Sequence, residues 1–255
     1  MIKVLRKIKF KYKQVCFHII NETNLFSMLF YDNYILLKCR INNISMLQYI
    51  GITFGTDKSN LNHSFNGMTY LDIYHKNFQH LKYKKVKLLE LGVQGGNSIR
   101  TWKRYFRKGL LVGLDFDKSC IQHIEKRVKI YIGDQKDLQL LNLIHKENGL
   151  FDIIIDDASH INELSITSFK FLFNKLKKGG SYVIEDLHCS YEDLNLVKDL
   201  WNNELIKNKE NGVNLKNIRE DINRFLLDLI KKLDQSTGDV MSVKFYNQMV
   251  IITRI

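Results

Sequence analysis

The stretch Leu88-Leu89-Glu90-Leu91-Gly92-Val93-Gln94-Gly95-Gly96-Asn97-Ser98 decides how this 255-residue chain is read. An apolar run ends in an acid, passes through a glycine-rich turn and enters a helical pattern. Glycines let a ligand approach the backbone, and an acid at a strand end accepts hydrogen bonds from hydroxyl or ammonium groups. The spacing is not G-x-G-x-x-G and no Gly-Lys-Ser/Thr accompanies it, which weakens the dinucleotide and nucleoside-triphosphate readings. From Lys85 onward, short β-rich runs alternate with longer helical ones, the pattern of a parallel sheet wrapped by helices. Strands are expected over Val86–Leu91, Leu110–Asp115, Val128–Ile132, Phe151–Asp156 and Ser181–Ile184. Helices are expected over Ser98–Phe106, Lys118–Lys126, Asp137–Lys146 and Leu164–Leu176, the last stopped by Gly179-Gly180. Val240–Tyr246 and Met249–Thr253, separated by Asn247 and Gln248, read as a closing hairpin. The fold class is therefore α/β: a doubly wound, mostly parallel seven-stranded sheet ending in an antiparallel hairpin.

The strand ends carry the chemistry. After Glu90 and Gly92 come Asp115 and Asp117 at the second strand end, placed to grip a ribose diol, and Gly133-Asp134-Gln135 at the third, polar groups suited to an adenine edge. Three acidic strand ends with no phosphate anchor suit a ligand bearing a ribose, an adenine and a positive charge, which is S-adenosylmethionine. The competing reading makes Asp115, Asp117 and Asp134 helix caps. Asp156-Asp157 and Glu185-Asp186 end two consecutive strands, and neighbouring strands lie about 4.8 Å apart, so these carboxylates should converge. Convergent carboxylates repel unless a cation sits between them, and oxygen ligation favours Mg²⁺, with Mn²⁺ next, over Zn²⁺. The alternative has one acid of each pair capping a helix and the other solvated. His160, three residues after Asp157, would hang over the same edge; alone it reads as structural, and beside a metal it becomes a reasonable general base.

Composition narrows the class. The chain is 45% hydrophobic and 26% charged, which excludes a disordered or fibrous protein, and it has no proline. Cys16, Cys39, Cys120 and Cys189 are far apart and lack metal-ligand spacing, as expected of reduced thiols in a cytoplasmic protein. The net charge of +12 is local: residues 1–40 carry +6 and residues 82–108 carry +8, leaving the remainder slightly negative. The basic arm over residues 1–13 admits a peripheral contact with an anionic membrane, although a solvated terminus is the simpler reading. No nucleic acid is expected, because no recognition module and no aromatic-rich basic stretch is present. No apolar run is long enough to span a membrane, and no signal peptide is visible. Residues 1–50 read as a basic helical extension and Gly51–Tyr70 as a loop leading into a helix over Thr69–His80, together an N-terminal helical cap. Within 51–255, residues 51–84 form a cap segment, 85–191 the cofactor and metal core, 192–239 a helical acceptor region and 240–255 the hairpin.

Gly55-Thr56-Asp57-Lys58, His63, Tyr70, Tyr74, the Glu90 turn with Gly95-Gly96-Asn97-Ser98, Trp102, Phe106, Gly113-Leu114-Asp115, Gly133-Asp134-Gln135, Asp156 to His160, Gly179-Gly180, Tyr182 to Asp186 and Ser190-Tyr191 occur in order. Together they resemble the metal-dependent sugar O-methyltransferases of antibiotic tailoring. The resemblance covers about residues 50–191 and the final hairpin, and departs at Lys178, where proline is usual, and at Ala158, where glycine is common. It implies a Rossmann-like class I methyltransferase. Asp157, Glu185 and Asp186 would be metal ligands, and Asp157 and His160 catalytic, His160 as the base. Glu90, Gly92, Gly95, Gly96, Asp115, Asp117, Asp134, Gln135 and Asp156 would bind the cofactor. The expected activity is methyl transfer from S-adenosylmethionine to a hydroxyl of a sugar or glycoconjugate, with a homo-oligomer among the admitted assemblies. A catechol, a phosphorylated polysaccharide precursor or RNA are the competing acceptors.

Overall fold

The computed structural model describes residues 25–60, 67–191, 217 and 219–255. The basic arm of residues 1–13, Cys16, His63 and most of the proposed acceptor region lie outside the described residues. The chain divides into two compact units: Met1–Val86, Gln94–Leu111 and Lys126–Val128 form the first; Lys87–Val93, Val112–Glu125 and Lys129–Ile255 form the second.

The first unit is helical. α1 spans Leu25–Asn42, α2 Met46–Phe54, α3 Tyr70–Phe78 and α4 Asn97–Tyr105. Ser45 caps α2 by accepting the Gln48 N–H, and Gly55 ends it at φ 74°, a left-handed conformation that favours glycine. The loop expected from Gly51 therefore begins at Gly55. Gly51 sits inside the helix because a Cβ there would overlap the Leu71 side chain. Thr69 and Asp72 form a reciprocal capping box that starts α3 one residue after the expected boundary. The core is aromatic, with Trp102 meeting Tyr74 edge-on at 5.1 Å and Phe106 meeting Tyr105 at 5.0 Å. Arg127 donates to the carbonyls of Lys103, Phe106 and Gly109, supplying positive charge where the last α4 carbonyls need partners.

The second unit holds the sheet. β1 spans Lys87–Leu91, β2 Leu110–Asp115, β3 Val128–Ile132, β4 Phe151–Asp156, β5 Leu176–Ile184, β6 Val240–Tyr246 and β7 Met249–Arg254. The order is β3-β2-β1-β4-β5-β7-β6. β4 runs parallel to β1 and β5, and β7 runs antiparallel to β5 and β6. Leu88, Leu89, Ile153, Ile154, Ile155, Val183 and Ile252 are all fully buried, the continuous apolar run of strands covered on both faces. The order reverses between β1 and β4, and ligands of doubly wound sheets bind beyond the carboxyl ends at such a switch.

α5 spans Leu138–Asn148, α6 Asn162–Leu172 and α7 Arg219–Asp234. Ile222, Leu226 and Leu229 are the buried stripe of α7, and Phe225 meets Phe169 of α6 edge-on at 4.9 Å.

Two expected boundaries are corrected. The helix expected over Lys118–Lys126 is a short 3₁₀ segment, Lys118–His123, in which only Cys120 is buried, so there is no apolar face to extend a helix. The helix expected to run to Leu176 ends at Leu172, and β5 begins at Leu176. Gly179 and Gly180 do not stop a helix; they lie in β5, where the register with β4 jumps between Phe151↔Leu176 and Ile153↔Ser181. Gly179 has φ 73°, and a Cβ on Gly180 would come within 3.1 Å of the Asp152 carbonyl, so the bulge requires glycines.

Candidate active site

The ends of the central strands are tied together beyond the ladder. Gly92 N–H donates to Leu114 O at 2.8 Å, Gly133 N–H to Asp115 O at 2.9 Å, Asp157 N–H to Leu91 O at 2.9 Å and Glu185 N–H to Asp156 O at 3.0 Å. Gly92 has φ 90°. A Cβ there would collide with the Asp157 carbonyl and stand 2.9 Å from Ala158 Cα, so the backbone after β4 passes directly over this glycine.

On the β1–β3 side, Glu90 is fully buried at the end of β1. Asp115 accepts from Val93 N–H at 2.7 Å and from Asp117 N–H at 2.9 Å, one bond on each oxygen. Asp117 caps the 3₁₀ segment through Ser119, and these hydrogen bonds hold its exposed carboxyl below the ordinary range. Asp134 accepts the Lys136 N–H at 2.9 Å and is half exposed. Gly95 and Gly96 belong to the first unit, where Gly96 caps α4 at φ 71°.

Gln135 and Asp156 turn inward. Gln135 is 6% exposed; its Nε2 lies 3.3 Å from Asp156 Oδ1 and from Ser168 Oγ, and its Oε1 accepts the Ser159 N–H. Asp156 is 2% exposed and also accepts from Ser168 at 2.8 Å and from the Tyr182 hydroxyl at 3.3 Å. Burial raises its carboxyl above the ordinary range, against the lowering effect of the Ser168 bond. Both residues were expected on the cofactor face. In the structure they form a buried network behind the loop that carries Ser159 and His160.

On the β4–β5 side, ligand atoms of Asp157, His160 and Asp186 all lie within 4.8 Å of one another. His160 Nε2 is 3.6 Å from Asp186 and 4.0 Å from Asp157, and all three side chains are about a fifth exposed. His160 and Asp186 hold left-handed backbones, φ 54° and 53°, conformations costly for non-glycine residues and concentrated at functional sites. Glu185 was expected beside Asp157 as a ligand; it is 3% exposed and stays outside this group. The reason is local. The β4–β5 register pairs Asp156 with Ile184, which extrapolates to Asp157 beside Glu185, but the left-handed turn at Asp186 breaks the alternation and brings Asp186 in.

The clamp on this side comes from residues that sequence reading missed. Asn217 donates to His160 O at 2.8 Å and Cys189 O at 3.0 Å and accepts from Asn162 N–H at 2.9 Å, so one amide joins the His160 loop, the α6 start and the turn after Asp186. Arg219 donates to Leu187 O and Ser190 Oγ and stacks over Tyr191 at 4.3 Å. No motif marks Asn217; only the fold reveals it.

The donor set fits a hard divalent cation. Two carboxylates can hold Mg²⁺, which commonly takes one or two from the protein and completes its shell with water and substrate oxygen, whereas imidazole is a poor ligand for it.

Comparisons with known proteins bear on the fold and the family resemblance. No protein-family model matches the chain. The structure matches MycE methyltransferase from the mycinamycin biosynthetic pathway, solved in complex with Mg and SAH, with TM-score 0.62 at 29% identity, over 82% of this chain and 54% of that one. The chain has the class I methyltransferase fold. This methyltransferase-fold chain is also 39% identical over 150 residues to the 8-demethyl-8-alpha-L-rhamnosyl tetracenomycin-C 2'-O-methyltransferase of Streptomyces olivaceus, covering 56% of this chain and 38% of that protein. It is 42% identical to the mycinamicin VI 2''-O-methyltransferase of Micromonospora griseorubida, covering 46% and 31%. The matches span less than half the length of these curated relatives. The resemblance seen in the sequence is thus to sugar O-methyltransferases, and the mixed sheet with its antiparallel hairpin is as expected. Among the described residues, no helix is long and apolar enough to cross a membrane.

Proposed function

We propose that this chain transfers the methyl group of S-adenosylmethionine to a hydroxyl of a sugar or glycoconjugate. The observation that carries the reading is the Asp157–His160–Asp186 group, assembled at the carboxyl ends of β4 and β5 beside the switch point of the sheet. Within the second unit, Glu90 and Asp115 are the acids on the cofactor side, with Gly92 admitting the ligand to the backbone. Asp117 and Asp134 shape the turns there, and Gln135 with Asp156 supports the His160 loop.

Asp157 and Asp186 would hold a divalent cation, Mg²⁺ by the hardness of their oxygens and Mn²⁺ next. When bound, such an ion acidifies and orients an acceptor hydroxyl, which is barely acidic by itself. His160 Nε2, 3.6 Å from Asp186, takes the hydroxyl proton. The acceptor oxygen forms its bond to the methyl carbon in line as the carbon–sulfur bond breaks. The names of the relatives, which act on rhamnosyl and mycinamicin sugars, support a sugar acceptor. Residues 51–255 would carry the reaction, with 192–239 addressing the acceptor and the basic arm open to an anionic surface.

The test is incubation of the protein with S-adenosylmethionine, Mg²⁺ and a panel of deoxyhexose glycosides, read by mass spectrometry. The expected product is a glycoside heavier by one methylene, lost with excess chelator. No methylated sugar, or full activity in chelator, overturns the proposal.

A further inference from the structure

One ammonium group inside the first unit has no anionic partner among the described residues. Lys82 follows the 3₁₀ turn Gln79–Leu81 and is 6% exposed. Its Nζ contacts Met46 Sδ, the Tyr83 hydroxyl at 3.0 Å and the Tyr83 ring face at 4.7 Å, all neutral. Withdrawing an ammonium from water without a counter-charge is costly, so the position calls for an anion.

Lys82 lines a cavity of about 630 Å³ that offers the complementary surroundings. Arg40 brings a second cation to its wall, and α2 begins there, with Ser45 and Met46 in the lining. The Ser45 hydroxyl takes the Gln48 N–H and the Ser45 carbonyl takes the Tyr49 N–H. That leaves the Met46 and Leu47 N–H groups, which have no acceptor within the helix and stand at the positive end of its dipole. His75, also in the wall, is held below its ordinary range by burial and by the Lys82 charge, with Asp72 opposing. Asp72 itself is engaged in the capping box on Thr69. Leu36, Ile44 and Tyr83 give the wall apolar area, beside the polar side chains of Asn43 and Gln79.

We infer that this cavity binds an organic anion, its phosphate or carboxylate group seated between Lys82 and the α2 N-terminus and its apolar body along Leu36 and Tyr83. The site is separate from the proposed methyl-transfer chemistry and does not depend on it.

Calorimetric titration of the full chain with phenyl phosphate, benzoate and inorganic phosphate at fixed ionic strength tests it. Saturable binding of phenyl phosphate or benzoate, about tenfold or more tighter than inorganic phosphate, is expected, because the ring buries apolar area; the tighter of the two assigns the head group. Lys82→Met should weaken that binding at least tenfold while its circular dichroism spectrum and cooperative thermal melt, which monitor folding, stay as in the wild type. Should Lys82→Met fail to fold, Arg40→Ala takes its place: a several-fold loss supports the site and wild-type affinity overturns it. No saturable binding to the wild type, or unchanged affinity in folded Lys82→Met, also overturns the inference.

Discussion

At the ends of β2 and β3 the acids serve the backbone next to them, whereas at the ends of β4 and β5 they face one another. Asp117 and Asp134 each close a turn onto a residue two positions on, and Asp115 holds Val93 and Asp117. Such turns organise themselves from neighbouring sequence. The Asp157–His160–Asp186 group brings two carboxylates close together, includes two residues with left-handed backbones and is held from outside by Asn217 and Arg219. The first arrangement is local and self-sufficient; the second concentrates like charge and backbone strain, which the proposed cation would relieve.

The contrast is broken most forcefully by Asp157→Asn. Loss of one carboxylate should abolish divalent-ion binding and cut methyl transfer by about 10³-fold, while S-adenosylmethionine affinity stays within a few-fold of wild type. Parallel calorimetry and product assays check this. Gly92→Ala strikes where the two sides touch, since a Cβ meets the Asp157–Ala158 backbone at φ 90°. It should destabilise the fold by about 2–4 kcal/mol in denaturant unfolding and weaken both ligands, which a change confined to one side would not do.

Asn217→Ala tests the external clamp. Removing one amide that bridges His160 O and Cys189 O should weaken metal binding about 10–100-fold and leave cofactor affinity nearly unchanged. Titrations of both ligands report the split, and equal losses would mean that Asn217 only supports the fold. The smallest effect belongs to Asp117→Ala on the self-organised side. Asp117 is held below its ordinary range by Ser119, so the stability it adds is present above the usual aspartate pKa of about 3.9 and is lost as pH falls through its lower folded value. The variant should flatten the acid limb of a thermal-melting profile and change little at pH 7.

The legibility of the sequence follows the same division. β2, β3 and β4 begin and end where their apolar runs do, and the Asx turns were open to the capping alternative that Asp117 follows. The β5 start was misplaced because a double glycine after a helix reads as a stop, and only the register with β4 shows it to be a bulge. The inward turn of Gln135 and Asp156 is not legible in the sequence, because residue type says nothing of which way a side chain turns at a strand end. Glu185 gave way to His160 in the ligand-atom group because a left-handed residue at Asp186 overrode the alternation of the strand. Asn217 was invisible, as its hydrogen-bonding partner His160 lies 57 positions earlier.

The central claim rests on calorimetric titration of the purified protein with S-adenosylmethionine and then Mg²⁺, repeated on Asp157→Asn. The account predicts saturable cofactor binding in both proteins and a Mg²⁺ signal in the wild type alone. Absence of cofactor binding, or a Mg²⁺ signal that survives in Asp157→Asn, would contradict it.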